Sequence, residues 1–324
     1  MTVLRWLAAL VVLALTFWWG LGLWVAGPGT DSLRLVLAGL YALSGLAAVV
    51  GLVSGRRWKP ALALYGVALL AVLGWWVSLR PSNERAWAPE VARTAHATID
   101  GERVTVHDIR NFDYRSETDF TPAYYDRTFD LRALDSVDLL AVYWMGPAIA
   151  HMFVSFGFGD DHLAVSIEAR KVRGEGYSSL KGFFRQYELV YVVADERDVV
   201  RLRTNFRRDP VYLYPVRATP AQARAMLVDM LQRATRLAEH PEWYNTLTNT
   251  CTTSIVGHVN NIAPEKVPFS YKVLFPGYSD RLAYDLGLID TELPFEQARE
   301  RFHVNARALR WGDSPDFSLR IRGL

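Results

Sequence analysis

The only cysteine of the chain, Cys251, is the residue whose position most clearly suggests chemistry. It precedes Ile255, Val256 and Val259, which recur at helical spacing, so it lies in the first turn of a predicted helix. Free N–H groups and the helix macrodipole stabilise a thiolate at such a position. The spacing therefore predicts a nucleophilic thiol. A buried cysteine that packs as a small apolar residue is the alternative.

A thiol nucleophile needs a base, and His151 is the best candidate among the seven histidines. It lies in an uncharged, strand-like run, Met145–Phe158, where a titratable residue costs stability unless it has partners. A hydrogen-bonded core histidine is the alternative. His258 follows Cys251 by seven residues, about 10 Å along a helix, which is too far for a direct base.

Glu168 is the candidate that would orient His151. If Asp160 and Asp161 form a two-residue hairpin loop, His151 pairs with Arg170 and shares a sheet face with Glu168. The sequence then predicts a Cys/His/Glu arrangement. A solvated ion pair between Glu168 and Arg170 is the alternative interpretation.

The sequence argues against disulfide, zinc, nucleotide-binding and serine-hydrolase chemistry. One cysteine excludes an internal disulfide and a cysteine-based zinc cluster. The motifs HExxH, GxxxxGK, GxGxxG and GxSxG do not occur in the chain. We therefore expect neither a metal nor a cofactor.

The elements that must position these residues fall into two regions, and residues 1–80 are strongly apolar. They hold six of the 36 basic residues, one of the 34 acidic residues and seven of the 11 tryptophans. Three uncharged runs, Trp6–Ala26, Leu35–Gly55 and Pro60–Leu79, each span about 30 Å as a helix, the thickness of a bilayer core. Residues 1–80 are thus predicted to form a membrane domain with three transmembrane helices. A cleaved signal peptide is the alternative for the first run.

The cations between the apolar runs predict the orientation in the membrane. Arg56, Arg57 and Lys59 lie in the second loop, and short cytoplasmic loops collect lysine and arginine. The N-terminus is therefore expected in the cytoplasm, with everything after Arg80 outside. The arginine- and alanine-rich composition suggests a bacterium, so we expect a cytoplasmic (inner) membrane protein whose second region faces the periplasm.

Residues 81–324 are predicted to form one extracytoplasmic α+β domain. Thirty basic and 33 acidic residues remain in it, so no basic excess favours nucleic acid. One helix is predicted to begin at Thr219-Pro220 and another, preceded by Thr248 and Asn249 as capping candidates, contains Cys251. The predicted strands are rich in β-branched and aromatic residues; they are Val104–Ile109, Val137–Trp144, Ile149–Phe158, His162–Ala169, Tyr187–Ala194 and Val211–Tyr214.

Four motifs in order resemble one known family, the Lnb-type lipoprotein intramolecular transacylases. They are Arg110–Glu117, Gly146–His151, Ser166–Lys171 and Tyr244–Thr253. The resemblance implies a thiol enzyme in which His151 and Cys251 are catalytic. The order His then Cys also resembles the circularly permuted papain-like fold of lipid acyltransferases. One departure is Thr250, where the family pattern has asparagine.

The resemblance also implies a reaction and its partners. An acyl chain would move from the diacylglyceryl group of a lipoprotein, through a Cys251 thioester, to the amine of its N-terminal cysteine, giving a lyso-form lipoprotein. A diacylated bacterial lipoprotein and membrane lipid are the expected partners. The backbone N–H of Cys251 would hold the oxyanion, with Tyr143 or Tyr244 as a second donor.

Two other functions remain open at this point. A periplasmic, membrane-anchored cysteine peptidase or amidase uses the same Cys/His chemistry. A membrane sensor or assembly factor would need no chemistry at all, and Cys251 would then be replaceable.

Overall fold

A computed structural model of the chain describes residues 2–324, which divide into two compact units. The first unit holds the described residues up to Ser82 together with Tyr177–Gln186. The second holds Asn83–Gly176 and Tyr187–Leu324. A ten-residue segment from the middle of the predicted outer domain thus belongs with the N-terminal helices.

The first unit is built on three long helices, α1 (Thr2–Ala26), α2 (Asp31–Ser54) and α3 (Trp58–Ser78). Each is long and apolar enough to cross a membrane. The hydroxyls of Tyr41 and Tyr65 lie 2.9 Å apart between α2 and α3. A Cβ at Gly45 would collide with Thr16, so only glycine permits this close approach of α1 and α2. The three predicted membrane helices are confirmed as apolar helices of spanning length.

The segment Tyr177–Gln186 contains the short helix α4 (Ser179–Phe183) and packs among the long helices. The ring of Phe184 lies 5.0 Å from that of Trp18 and 6.3 Å from that of Trp76. Arg185 donates from Nη1 to the carbonyl of Trp76 at 2.8 Å. Gly22 permits the contact, because a Cβ there would lie 3.0 Å from the Phe184 ring. Phe184 is fully buried as a result.

The second unit is built around a mixed sheet of eight strands, with a separate two-stranded sheet of β3 and β4. Seven strands follow the order β1-β2-β9-β8-β7-β6-β10, and β5 pairs with β2. Neighbours are antiparallel except β2 and β9. The strands are β1 (His96–Asp100), β2 (Arg103–Arg110), β3 (Asp113–Tyr114), β4 (Phe120–Thr121), β5 (Tyr124–Asp130), β6 (Ser136–Met145), β7 (Ile149–Phe158), β8 (Asp161–Arg170), β9 (Glu188–Asp195) and β10 (Val211–Pro215).

Helices cover both faces of this sheet. Met152 and Val154 of β7 pack on one face with Leu227, which lies in the helix Pro220–Glu239. Phe153 packs on the other face with Phe317, which lies in the helix Phe317–Arg322. The helices are α5 (Glu196–Arg201), α6 (Pro220–Glu239), α7 (Cys251–Ile262), α8 (Tyr271–Leu274), α9 (Ser279–Asp285), α10 (Phe295–Phe302), α11 (Asn305–Trp311) and α12 (Phe317–Arg322). The mixed α+β prediction is confirmed.

The hairpin between β7 and β8 differs in register from the sequence prediction. Phe158 pairs with Asp161, so the loop is Gly159-Asp160 rather than Asp160-Asp161. Gly159 has a φ of 65°, a conformation that favours glycine at the first loop position. The continued register places Glu168, and not Arg170, opposite His151. The predicted pairing was wrong by two residues, which leaves the shared face unchanged.

Candidate active site

Helix α7 begins at Cys251 itself, because Thr250 is its N-cap. The Thr250 side chain accepts from the N–H of Thr253 at 3.2 Å, and Thr253 Oγ1 accepts from the N–H of Thr250 at 2.8 Å. This reciprocal capping box replaces the predicted caps Thr248 and Asn249, which lie outside the helix. The threonine that departs from the family pattern therefore fixes the start of the helix and the place of the thiol.

The thiol lies where two neighbouring strands separate. Pairing between β7 and β8 ends at Phe153 and Ser166, although both strands continue beyond this pair. Met152 is the first residue of β7 beyond the pairing with β8, and its backbone N–H donates to Cys251 Sγ. The backbone N–H of Thr252 donates to the same sulfur. Two backbone donors thus hold the sulfur at the opening between the strands.

Burial dominates the acidity of this thiol. It raises the pKa of Cys251, and the negative charge of Glu168 raises it further, whereas the hydrogen bonds from Met152 and Thr252 lower it. The sequence predicted a lowered thiol pKa from the helix N-terminus alone. That prediction was wrong for this structure, because the side chain is 8% exposed and its charged form would lose most of its hydration.

The imidazole of His151 is held by Ser166 and Glu168. His151 Nε2 lies 2.7 Å from Ser166 Oγ, which donates to Glu168 Oε1 at 2.8 Å. Because the serine proton is used on the carboxylate, Ser166 accepts from His151, so Nε2 carries the ring proton. Within residues 2–324, Nδ1 makes no hydrogen bond and is left as the basic nitrogen.

Burial keeps His151 neutral, whereas nearby arginines keep Glu168 ionised. Burial lowers the His151 pKa to about 4, with the charges of Arg203 and Arg207 acting in the same direction and Glu168 opposing them. Burial would raise the Glu168 pKa, but the charges of Arg203 and Arg110 and the hydrogen bond from Ser166 outweigh it and hold that pKa well below its ordinary value. Arg203 Nη2 lies 3.0 Å from Glu168 Oε1. The site therefore combines an ionised glutamate with a neutral imidazole.

Cys251 and His151 lie at the same end of β7 but on different faces of the sheet. Cys251 packs with Met152 on the face covered by α6 and α7. The His151 ring stacks on Phe153, 5.8 Å away, on the opposite face. No hydrogen bond joins the two, although the thiol contacts the residue next to His151. The described residues therefore bring the predicted thiol and base to the same end of β7 without joining them.

The structure gives contacts for both tyrosines that were predicted as possible oxyanion donors, Tyr143 and Tyr244. The Tyr143 hydroxyl lies 2.9 Å from the carbonyl of Gly277 and 2.8 Å from Asp280 Oδ2. Its single proton is used there, so the structure does not support Tyr143 as a donor. Tyr244 is buried with its ring edge-on to Tyr187. The N–H of Cys251, at the first position of α7, needs no carbonyl within the helix and stays the best donor.

Sequence reasoning missed two residues of the site. Ser166 lies two residues before Glu168 in β8 and hence on the same face, so strand alternation could have identified it. Arg203 comes from a π-helical stretch, Leu202–Arg207, that follows α5. No local pattern connects Arg203 with Glu168, because only the tertiary fold brings them together.

The side chain of His258 contacts Tyr191 and Asp229 rather than the residues around His151. Its Nε2 lies 2.7 Å from the hydroxyl of Tyr191, and its Nδ1 lies 2.7 Å from Asp229 Oδ2. Asn261 donates to the same carboxylate oxygen at 2.9 Å. Both ring nitrogens are therefore engaged within the layer between α6, α7 and the sheet, so His258 has no nitrogen left to act as a base.

An apolar cavity of about 90 Å³ begins beside the thiol. Thr252 and Ile255 of α7 and Met152 of β7 line its near end. Val216, Leu286 and Leu288 are among the residues lining it from more distant parts of the chain. Its lining surface is entirely apolar, although Thr252 and Ser279 contribute atoms to the wall. Such a site accepts a hydrocarbon group and leaves no partner for a polar one.

Comparison with protein families matches residues 120–277 to the model of the Lnb N-terminal periplasmic domain. The match covers the strands that carry His151 and Glu168 and all of α7. The matched residues make up just under half of the chain, and together with the three apolar N-terminal helices they fit the Lnb-type family. Neither a curated protein nor a solved structure matches this chain.

The charge states of Cys251 and His151 give a testable alkylation profile. Because the Cys251 pKa is raised and His151 is neutral above about pH 4, the iodoacetamide rate should climb steadily with pH past the ordinary thiol range near 8.5. Rates followed by mass spectrometry from about pH 5 to about pH 10, with glutathione as the reference, measure this. A plateau between about pH 5 and 7 that disappears in His151→Ala would instead reveal a thiolate–imidazolium pair.

Proposed function

We propose that this chain is a membrane-anchored thiol acyltransferase. It would move an acyl chain from the diacylglyceryl group of a lipoprotein to the amine of that protein's N-terminal cysteine. The observation that carries the proposal is the wholly apolar cavity beside Cys251. A peptide bound there would bury unpaired N–H and C=O groups, whereas an alkyl chain gains free energy from the same burial. The cavity therefore favours acyl transfer over a cysteine peptidase.

The proposed first step requires the neutral His151 and Cys251, which no hydrogen bond joins in this structure, to come together when substrate binds. His151 Nδ1 accepts the Cys251 proton as Sγ attacks the ester carbonyl, and a C–S bond forms. The tetrahedral intermediate places its negative oxygen near the N–H of Cys251. Its collapse breaks the C–O bond, and the leaving alkoxide takes the proton from His151. A Cys251 thioester and a lyso-glyceryl group result.

The second step returns the enzyme to its starting state. The N-terminal amine attacks the thioester carbonyl, His151 accepts a proton from nitrogen, and the C–S bond breaks. The proton then returns to sulfur, so atoms and charge balance over the cycle. The His-then-Cys order, with the thiol opening a helix against the sheet, supports a circularly permuted papain-like arrangement for this domain.

The reaction needs the domain to meet mature lipoproteins, so its side of the membrane matters. We infer that the N-terminus lies in the cytoplasm and the domain after α3 in the periplasm, at the inner membrane. The cations Arg56, Arg57 and Lys59 between α2 and α3 support this orientation. A reporter active only in the cytoplasm, fused after Leu324, should stay silent; an active reporter would contradict the proposed substrate.

A change of cavity volume tests the function most directly. Ala283 of α9 lines the cavity, and Ala283→Phe should fill most of it. We expect at least a tenfold loss of transfer from a lipopeptide with about 16-carbon acyl chains, and little change with about four-carbon chains. Mass spectrometry of the lipopeptide N-terminus measures both.

Ala283→Val is the matched control and should leave both rates nearly unchanged. Equal losses for long and short chains in Ala283→Phe would mean that the cavity does not hold the acyl group. Unmodified amine with cleaved peptide as the product would favour the peptidase alternative.

A further inference from the structure

The second unit exposes an unusual cluster of large apolar side chains on two neighbouring segments. Phe269 is 91% exposed and Met145 57%. We call the cluster the aromatic rim, and its members are Trp144, Met145, Phe269, Tyr271, Phe275 and Tyr278. Soluble proteins rarely leave such a cluster uncovered unless it binds something.

The two segments of the rim form one surface. Gly277 donates its N–H to the carbonyl of Ala148 at 3.0 Å, which joins the 3₁₀ turn Pro276–Tyr278 to the turn between β6 and β7. A Cβ at Gly277 would collide with the backbone of Pro147 and Ala148, so glycine is needed for this approach. The rings of Tyr271 and Tyr278 pack edge to face, 6.2 Å apart.

One chain segment contributes both to the rim and to the wall of the apolar cavity. Val267 and Val273, which lie on the same segment as Phe269 and Tyr271, line the cavity wall. The rim is thus close along the chain to the cavity whose wall also includes Thr252, the neighbour of Cys251.

We propose that the aromatic rim inserts into the surface of the lipid bilayer. The chain reaches Asn83, where the second unit begins, five residues after α3 ends at Ser78, so a bilayer crossed by α3 lies within about 17 Å of that residue. Tryptophan and tyrosine are the residues that membrane interfaces favour, and phenylalanine supplies the apolar depth. Lipid is therefore the partner that this surface fits by composition, in a unit that the chain tethers close to the bilayer.

The single cysteine permits a direct test on the full chain. Cys251→Ala gives a cysteine-free protein, into which Phe269→Cys introduces one site for an environment-sensitive fluorophore. The labelled protein is placed in vesicles of phosphatidylethanolamine and phosphatidylglycerol, with or without bromine on the acyl chains. We expect brominated lipid to quench the label at position 269 by about half or more.

Leu309→Cys in the same background is the matched control, because Leu309 is also apolar and 59% exposed but lies on α11. Its label should keep its emission. Tyr271→Cys provides a second rim position should Phe269→Cys fold poorly. Equal quenching at rim and control positions, or a rim response only after purified diacylated lipoprotein is added, would overturn the proposal. The background lacks the nucleophile, so this outcome is independent of the acyl-transfer proposal.

Discussion

Cys251→Ala is expected to lower turnover by at least about a thousandfold, because every proposed step passes through a bond to this sulfur. Removal of a nucleophile typically costs several orders of magnitude in kcat. Cys251→Ser should be similarly inactive, since a serine hydroxyl in this site would be far less acidic than the thiol. Release of lyso-form lipopeptide, followed by mass spectrometry in membranes that contain each variant, measures the effect.

Folding must be separated from chemistry in this experiment. Ile262→Val is the matched control, because Ile262 lies at the far end of α7, packs against the same apolar cluster and is not among the residues that line the cavity. It should lose a little stability and keep its activity. If Cys251→Ala retained more than about a tenth of wild-type turnover, covalent thiol catalysis would be excluded and a non-enzymatic role would gain support.

His151→Ala should reduce kcat by about 100- to 10,000-fold, the usual contribution of a positioned base. The wild-type pH profile carries a second signature. His151 must be neutral to accept the thiol proton, and its pKa is about 4, so kcat/KM should fall only as the pH drops through about 4. The rates of both proteins on the lipopeptide, measured from about pH 3.5 to pH 8, give this profile.

Two variants distinguish the base from its supports. His162→Gln, at the hairpin between β7 and β8, removes a histidine outside the site and should leave the profile unchanged. Ser166→Ala leaves the imidazole in place but frees its Nε2 proton, so we expect a loss smaller than that of His151→Ala. A His151→Ala protein with wild-type kcat/KM would assign the base to another group.

The sequence predicted most of the architecture around the site. Alternation of β-branched residues located six strands, and the periodicity of Ile255 and Val259 placed Cys251 at a helix N-terminus. Strands β1 and β5 were not predicted, because polar and charged residues occupy much of them. These successes share a cause: each depends on local spacing, which burial of one face imposes directly on the residue order.

The electrostatics of the site could not be predicted in the same way. The sequence shows that Cys251 opens a helix, which favours a lowered thiol pKa. The pKa is raised instead, because β7 and β8 enclose the sulfur, and this burial depends on the tertiary fold. The Arg203 charge that holds Glu168 ionised arrives from a distant π-helical stretch. The hairpin register also depends on the positive φ of Gly159, which moves the loop by one residue.

The packing of Tyr177–Gln186 with the N-terminal helices affects the order in which parts of the protein fold during synthesis. Strand β9, which lies between β2 and β8, is made only after this segment, whose Phe184 is buried among residues of α1 and α3. The chain therefore packs Tyr177–Gln186 against helices that are already in the membrane before it forms this interior strand. A shortened chain that starts at Asn83 would leave Phe184 without its aromatic neighbours and offer it to other chains, so such a fragment should aggregate where the full protein does not.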